Sequence, residues 1–114
     1  MRYLLQLYGN TSREEVEAMS EEQRGALYAE WGAFRELPGV TPSQEMAPPS
    51  SATTVRVESG STLTTDGPFI ETKEALGGFF FLEADDLDAA IEIASQVPTA
   101  KRGGAVEIRP LVEY

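Results

Sequence analysis

The run Thr-Asp-Gly-Pro-Phe-Ile-Glu-Thr-Lys-Glu at residues 65–74 is the most distinctive stretch of this chain. Asp66 can accept hydrogen bonds from backbone N–H groups just ahead of it, Gly67 can adopt angles that other residues avoid, and Pro68 fixes its own φ. A tight turn is therefore predicted, followed by Phe69-Ile70 as an apolar anchor and by charged groups of both signs. The run is either a structural turn with a solvated rim or a rigid corner that presents side chains to a ligand or partner.

The residues before this run predict a β-hairpin. Residues 53–58 alternate between apolar and polar side chains, and residues 61–65 return after a tight turn, so the distinctive run stands at the far end of the hairpin. We expect Val55 and Val57 to face the core and Leu63 to point inward as well.

Three further strands are predicted. Residues 2–8 are apolar on both faces, and the four apolar residues Phe79–Leu82 indicate a central strand that is covered on both faces. Residues 105–113 form the last strand, which Pro110 restricts to an edge or a bulge because proline lacks the N–H that a ladder needs. Arg109 stands among apolar neighbours there, so we expect it to pair with a carboxylate, for which Glu71 and Asp66 are candidates.

Two helices and one long loop complete the pattern. Ser20 and Gln23 have the spacing of a capping box, and a stripe of apolar residues follows at helical spacing. A second helix begins at Asp85 or Asp86. The predicted buried positions are Leu27, Trp31 and Phe34 in the first helix and Leu87, Ile91, Ala94 and Val97 in the second. Residues 41–52, rich in proline and serine, predict a loop of about a dozen residues, which is long for a compact domain.

These elements predict one domain, residues 1–114, of the α+β class. The order β-α-β-β-β-α-β corresponds to a ferredoxin-like split βαβ plan with an antiparallel sheet, one extra hairpin strand and helices on one face only. The strands predicted at residues 2–8 and 79–82 are nonetheless apolar on both faces. The uncovered face therefore needs a partner, and we expect a homodimer in which two copies are related by two-fold symmetry.

The amino-acid composition excludes several kinds of catalytic and metal-binding site. The chain has no cysteine and no histidine, which excludes disulfides, thiolate or imidazole metal sites and a Ser–His triad, so we expect neither a metal nor a cofactor. The net charge of −10 argues against a direct nucleic-acid partner. No apolar run approaches the ~20 residues that span a bilayer, so we expect a cytoplasmic protein without a membrane partner.

The run at 65–74, followed by Leu76-Gly77-Gly78-Phe79, is similar to the signature of the DGPF-type branch of the YCII-like family. That branch usually has alanine where this chain has Ile70. The similarity extends over nearly the whole chain, from the opening strand Tyr3–Tyr8 to the segment Ala105–Pro110. It implies a ferredoxin-like dimeric α+β barrel.

The resemblance implies less about function. Enzymes of the wider family are thought to use a His–Asp pair in a pocket between helix and sheet, but this chain offers only Arg24 or Gly25 where the histidine is expected and Pro98-Thr99-Ala100 where the aspartate is expected. The His–Asp pair therefore cannot be assigned to residues of this chain, and we favour a protein that is not an enzyme. DGPF-type proteins tend to accompany extracytoplasmic-function sigma factors, which suggests a signalling or stress-related role with a regulatory protein as a possible partner.

Three hypotheses follow. The first is a ligand- or partner-binding module that uses Asp66, Gly67, Pro68, Phe69, Glu71, Thr72, Lys73 and Arg109. The second is a proton-transfer or isomerase-type enzyme with Asp66 or Glu71 as base and with Tyr3, Tyr8, Tyr28 or Arg109 polarising the substrate. The third is a purely structural motif that helps to build the dimer. The residues alone leave all three open, and they name no ligand, substrate or partner.

Overall fold

A computed structural model of the chain describes residues 1–9, 12–41, 44–71 and 74–114. Within these ranges the strands are β1 (Arg2–Gly9), β2 (Thr53–Glu58), β3 (Ser61–Asp66), β4 (Ala75–Glu83) and β5 (Ala105–Pro110). The helices are α1 (Arg13–Ala18), α2 (Glu21–Arg35), α3 (Leu87–Ala94) and α4 (Pro98–Lys101), with a 3-10 turn at Pro49–Ser51.

The main sheet has three antiparallel strands in the order β4-β1-β5. In its middle Leu5 pairs with Phe80 of β4 and with Ile108 of β5, so β1 is the central strand. In this three-stranded order β4 is an outer strand, and Phe81 on it is exposed, so the prediction that Phe79–Leu82 is covered on both faces was wrong within one chain. β5 is an edge strand, as Pro110 requires, and Pro110 pairs with Tyr3 at its end.

The outer edge of β4 is covered by residues 40, 41 and 44–46, most of which belong to the predicted loop. Isolated bridges join Val40 to Leu82 and Glu45 to Gly78 in antiparallel sense, and the Met46 N–H donates to the Gly77 carbonyl at 2.9 Å. The order of edge segment, β4, β1 and β5, with α2 and α3 in the two connections, fits the ferredoxin-like α+β fold. Within the described ranges the sheets stay open and close no barrel.

Helix α2 begins as its sequence predicts. The Ser20 hydroxyl accepts a hydrogen bond from the Gln23 N–H, and the Gln23 side chain accepts one from the Ser20 N–H, so the capping box is complete. Leu27 and Phe34 are buried, and the Trp31 ring stacks on Phe80 with centroids 6.0 Å apart. The helix side of the sheet holds the core, whose buried residues are Tyr3, Leu5, Leu7, Phe34, Phe80, Leu82, Ala90, Ala94 and Val97.

Helix α3 packs with a face that only partly matches the predicted one, since Ala94 and Val97 are buried as predicted. Asp86 caps it by accepting a hydrogen bond from the Ala89 N–H at 2.9 Å. Ala90 and Ala94 are buried, whereas Leu87 and Ile91 are exposed, so the predicted stripe was wrong at those two positions. Because alanine side chains are small, the helix can lie close to the sheet where Ala90 and Ala94 face it. The larger side chains of Leu87 and Ile91 then lie outside this contact.

Strands β2 and β3 form a separate two-stranded sheet that contacts the other elements little. Val55 and Val57 are exposed rather than in the core. Leu63 is exposed too, and it lies on the opposite face because its cross-strand partner is Arg56. These predictions were wrong because alternation fixes which residues share a face but not what covers that face. The radius of gyration is 16.4 Å, against about 13 Å expected for a compact chain of this length.

Candidate functional site

The predicted turn after β3 is present. Gly67 has φ of +98°, in the region that favours glycine. Its N–H donates to the Ala52 carbonyl at 2.7 Å, and its carbonyl accepts a hydrogen bond from the Thr54 hydroxyl at 2.8 Å. The turn therefore fastens the end of β3 to the start of β2. Asp66 is exposed at the last position of β3, opposite Thr53, and Pro68 is half-buried.

The apolar pair after the turn does not insert into the core. Phe69 is 65% exposed and Ile70 is 69% exposed, so the prediction of an apolar anchor was wrong within a single chain. The Arg56 guanidinium lies 4.6 Å from the centre of the Phe69 ring, which is a cation–π distance. This contact holds Phe69 beside the hairpin on the face that Leu63 shares with Arg56.

The described members of the remaining predicted site, Glu71 and Arg109, are not paired with each other. Glu71 is exposed, and Thr72 and Lys73 lie outside the described residues. Arg109 does pair with a carboxylate, but the partner is Glu107 at 2.9 Å rather than Glu71 or Asp66. The predicted set is thus divided between the hairpin end and the main sheet.

The tyrosines that the enzyme hypothesis assigned to substrate polarisation do not share one site. Tyr3 is buried in the core on the helix side, and Tyr28 is exposed on α2. Tyr8 and Arg109 instead belong to the opposite side of the sheet, because their neighbours on β1 and β5 alternate with the core residues.

We call the side of the main sheet that turns away from the helices the open face. Directly opposite residues of an antiparallel pair share a face, so the register assigns its members. Its apolar positions are Leu4, Leu76, Phe79 and Phe81, and its polar positions are Arg2, Gln6, Tyr8, Glu83, Glu107 and Arg109. No described helix covers this face, although Leu4, Phe79 and Phe81 stand next to one another on it.

A shallow concavity of about 310 Å³ lies on the open face. Its walls are almost entirely apolar, and the rings of Phe79 and Phe81 meet edge to face with centroids 5.9 Å apart. The lining residues are Leu4, Gln6, Met46, Leu76, Phe79 and Phe81. Met46 comes from the segment along the β4 edge, which sequence reasoning had treated as loop.

Gln6 is the polar member of this lining. Its side-chain oxygen Oε1 is buried and has no hydrogen-bond partner among the residues that the structure describes. Leaving a buried acceptor unpaired costs about 1–3 kcal/mol. Sequence reasoning did not select Gln6, although a lone amide between Leu5 and Leu7 in an apolar strand was the available signal.

Of the two α2 positions that the resemblance offered for the family's histidine, Arg24 has a structural role here. The Arg24 guanidinium donates to the carbonyls of Glu17 at 2.9 Å and Met19 at 2.8 Å, which fastens the end of α1 to α2. Gly25 is exposed, and the space around its Cα is open. In the described ranges, every helix is too short or too polar to cross a bilayer.

The architecture and the sequence together define a small α+β protein of ferredoxin-like type. The model of the YCII-related domain matches residues 1–114, so the chain belongs to this family. It is also 32% identical, over 117 aligned residues, to an uncharacterized protein of Rhizobium meliloti (strain 1021). That alignment covers 100% of this chain and 94% of the relative. A signalling role and a sigma factor as partner stay predictions of the resemblance.

Proposed function

We propose that this protein is a homodimeric binding module in which two copies pack open face against open face and enclose the concavity as a chamber for a small apolar molecule. The observation that carries the proposal is the open face itself, a sheet surface without a covering helix among the described residues and with an apolar concavity along β1 and β4. Apolar concavities of roughly 300–1,000 Å³ are typical of small-molecule sites. The dimeric α+β barrel implied by the family resemblance is one arrangement of this kind.

The charges of the three strands favour a second copy as the occupant of the open face. The chain carries a net charge of −10, so two copies repel each other over most of their surfaces. The charged residues of β1, β4 and β5, however, are two arginines and two glutamates, Arg2, Arg109, Glu83 and Glu107. The open face is therefore neutral, and a two-fold axis can place each arginine near a glutamate of the other copy.

The size of the molecule is also sufficient for such an interface. Its longest extents are 51 Å and 42 Å, but its shortest is 20 Å, so one chain is a thin plate. A standard interface buries about 800 Å² on each partner, and the broad side of this plate, which includes the open face and the hairpin, is larger than that. Packing two plates face to face gives each apolar sheet the second covering layer that a stable domain needs.

The projecting hairpin gives a second reason for self-association. Val55, Val57 and Leu63 are exposed on its two faces, and Phe69 and Ile70 are exposed at its base. A two-stranded hairpin is at best marginally stable alone in water, so an arm of this kind gains from packing on another surface. In the proposed dimer the arm reaches over the second copy, and the Asp66-Gly67 turn sets its direction.

The carboxylate-base alternative has less support. Asp66 and Glu71 are exposed and neither lines the concavity, so within one chain neither carboxylate meets a substrate held on the open face. We therefore propose binding rather than proton transfer as the activity of this face.

Sedimentation velocity at micromolar concentrations tests the assembly. We expect the wild type to sediment with twice the chain mass of 12.4 kDa. Phe81→Asp places a charge on the open face at a partly exposed position, and it should yield monomers that keep their far-UV circular dichroism. Ile91→Asp makes the same kind of change at an exposed apolar position on α3 and should remain dimeric.

Two results would refute the proposal. One is a wild-type protein that stays monomeric throughout the micromolar range. The other is equal dissociation of the Phe81 and Ile91 variants, which would mean that an added charge disrupts association wherever it is placed.

A further inference from the structure

We infer that Gln6 selects the ligand of the open-face concavity, which takes an uncharged, flat aromatic molecule of about two rings that carries one N–H or O–H donor. This inference rests on the proposed function, since it names the ligand class of the chamber.

The need for a donor follows from the lining. Gln6 Oε1 is buried and has no hydrogen-bond partner within the described part of the chain. The other lining side chains, Leu4, Met46, Leu76, Phe79 and Phe81, contain no N–H or O–H group. None of these five side chains can therefore donate to Gln6 Oε1, which leaves a molecule in the concavity as the donor in this assignment.

The size, shape and charge of the ligand follow from the same surface. An apolar cavity of about 150 Å³ holds benzene, so a concavity of about 310 Å³ has room for two fused rings. Phe79 and Phe81 offer aromatic faces and edges against which a flat ring can stack. The lining has almost no polar surface to compensate a charged group for the loss of water, so the ligand is uncharged.

Indole and benzofuran form a matched pair of probes. They have nearly the same shape, but indole has an N–H donor where benzofuran has an oxygen. The chain has three methionines, Met1, Met19 and Met46, and only Met46 lines the concavity. Titration of protein labelled with ¹³C at the methionine methyl groups therefore reports binding through the Met46 signal, with the other two signals as internal references.

We expect both probes to shift the Met46 signal and indole to bind about tenfold more tightly than benzofuran, which is the usual scale for one hydrogen bond to a buried acceptor. Gln6→Leu removes the acceptor and keeps a similar volume, so it should bind both probes equally. Gln96→Leu makes the same exchange at an exposed position outside the concavity and should retain the preference for indole.

The inference is overturned if the wild type binds the two probes equally, or if the preference persists in Gln6→Leu. A third result would also overturn it: Gln6→Leu weakens the dimer, and neither protein prefers one probe over the other. The donor to Gln6 would then come from the second copy rather than from a ligand. Diffusion measurements on the same samples report the oligomeric state. A monomer that still prefers indole would refute the proposed dimer and leave the assignment of Gln6 intact.

Discussion

Replacing Gly39 with alanine tests how closely the segment after α2 is fitted against the end of β4. Gly39 has φ of +86°, and a Cβ atom there would overlap the Glu83 carbonyl, lying 3.2 Å from its carbon and closer still to its oxygen. A left-handed backbone costs a non-glycine residue about 1–2 kcal/mol, and a clash that shifts backbone costs about 1–3 kcal/mol more. The shift would also strain the hydrogen bond from the Glu83 N–H to the Gly39 carbonyl, which is 2.9 Å long.

We therefore expect Gly39→Ala to lower the free energy of unfolding by about 2–5 kcal/mol, a large part of the ~5–15 kcal/mol of a typical domain. Gly60 is the matched control, because its φ is +79° but nothing lies within 4 Å of an added Cβ. Gly60→Ala should lower the free energy of unfolding by only about 1–2 kcal/mol, which is the cost of a left-handed backbone at a non-glycine residue.

Urea unfolding monitored by fluorescence measures both variants, at one protein concentration so that any dimerisation contributes equally. The single tryptophan, Trp31, packs on Phe34 and Phe80 and so reports loss of the core. If the two variants lose the same free energy, the steric argument fails, since only Gly39 has a backbone neighbour in the way.

Four further substitutions can be measured by the same unfolding assay. Gly32→Ala, in the exposed interior of α2 with open space around the added Cβ, should stabilise the protein by about 0.5–1 kcal/mol, and destabilisation would contradict the geometry. Ser20→Ala removes the hydroxyl of the capping box and should cost about 1 kcal/mol, whereas an unchanged midpoint would mean that water replaces the cap. Phe34→Ala should cost about 3–5 kcal/mol at a side chain that is 1% exposed, and Phe69→Ala much less, so equal losses would show that Phe69 is buried in solution.

Local features were predictable from sequence because they depend on neighbours in the chain. Ser20 and Gln23 are three residues apart, and their capping box formed as the spacing predicts. Gly67 adopts the positive φ expected of the Asp-Gly-Pro turn, and Asp86 caps α3. The α+β class also followed from local patterns, since periodicity separates helices from strands.

The candidate site was much less predictable. Sequence reasoning placed it at residues 65–74 and at Arg109, whereas the described structure shows a concavity around Gln6 on the main sheet. Met46 reaches that concavity because Val40 and Glu45 form bridges with the edge of β4, which is distant from them in the chain. A local pattern contains no information about which distant strand edge is free to accept such a segment.

The sequence by itself thus determined the elements, their caps and turns, and the fact that two strands are apolar on both sides. The tertiary structure decided which strand is central, that the hairpin projects, and that Leu87, Ile91, Val55 and Val57 lie outside the core of one chain. The reason is physical: alternation and helical spacing fix which side chains share a face, but burial depends on what else packs there. For residues 65–74 this means that the turn could be read from its own residues, whereas the exposure of Phe69 could not.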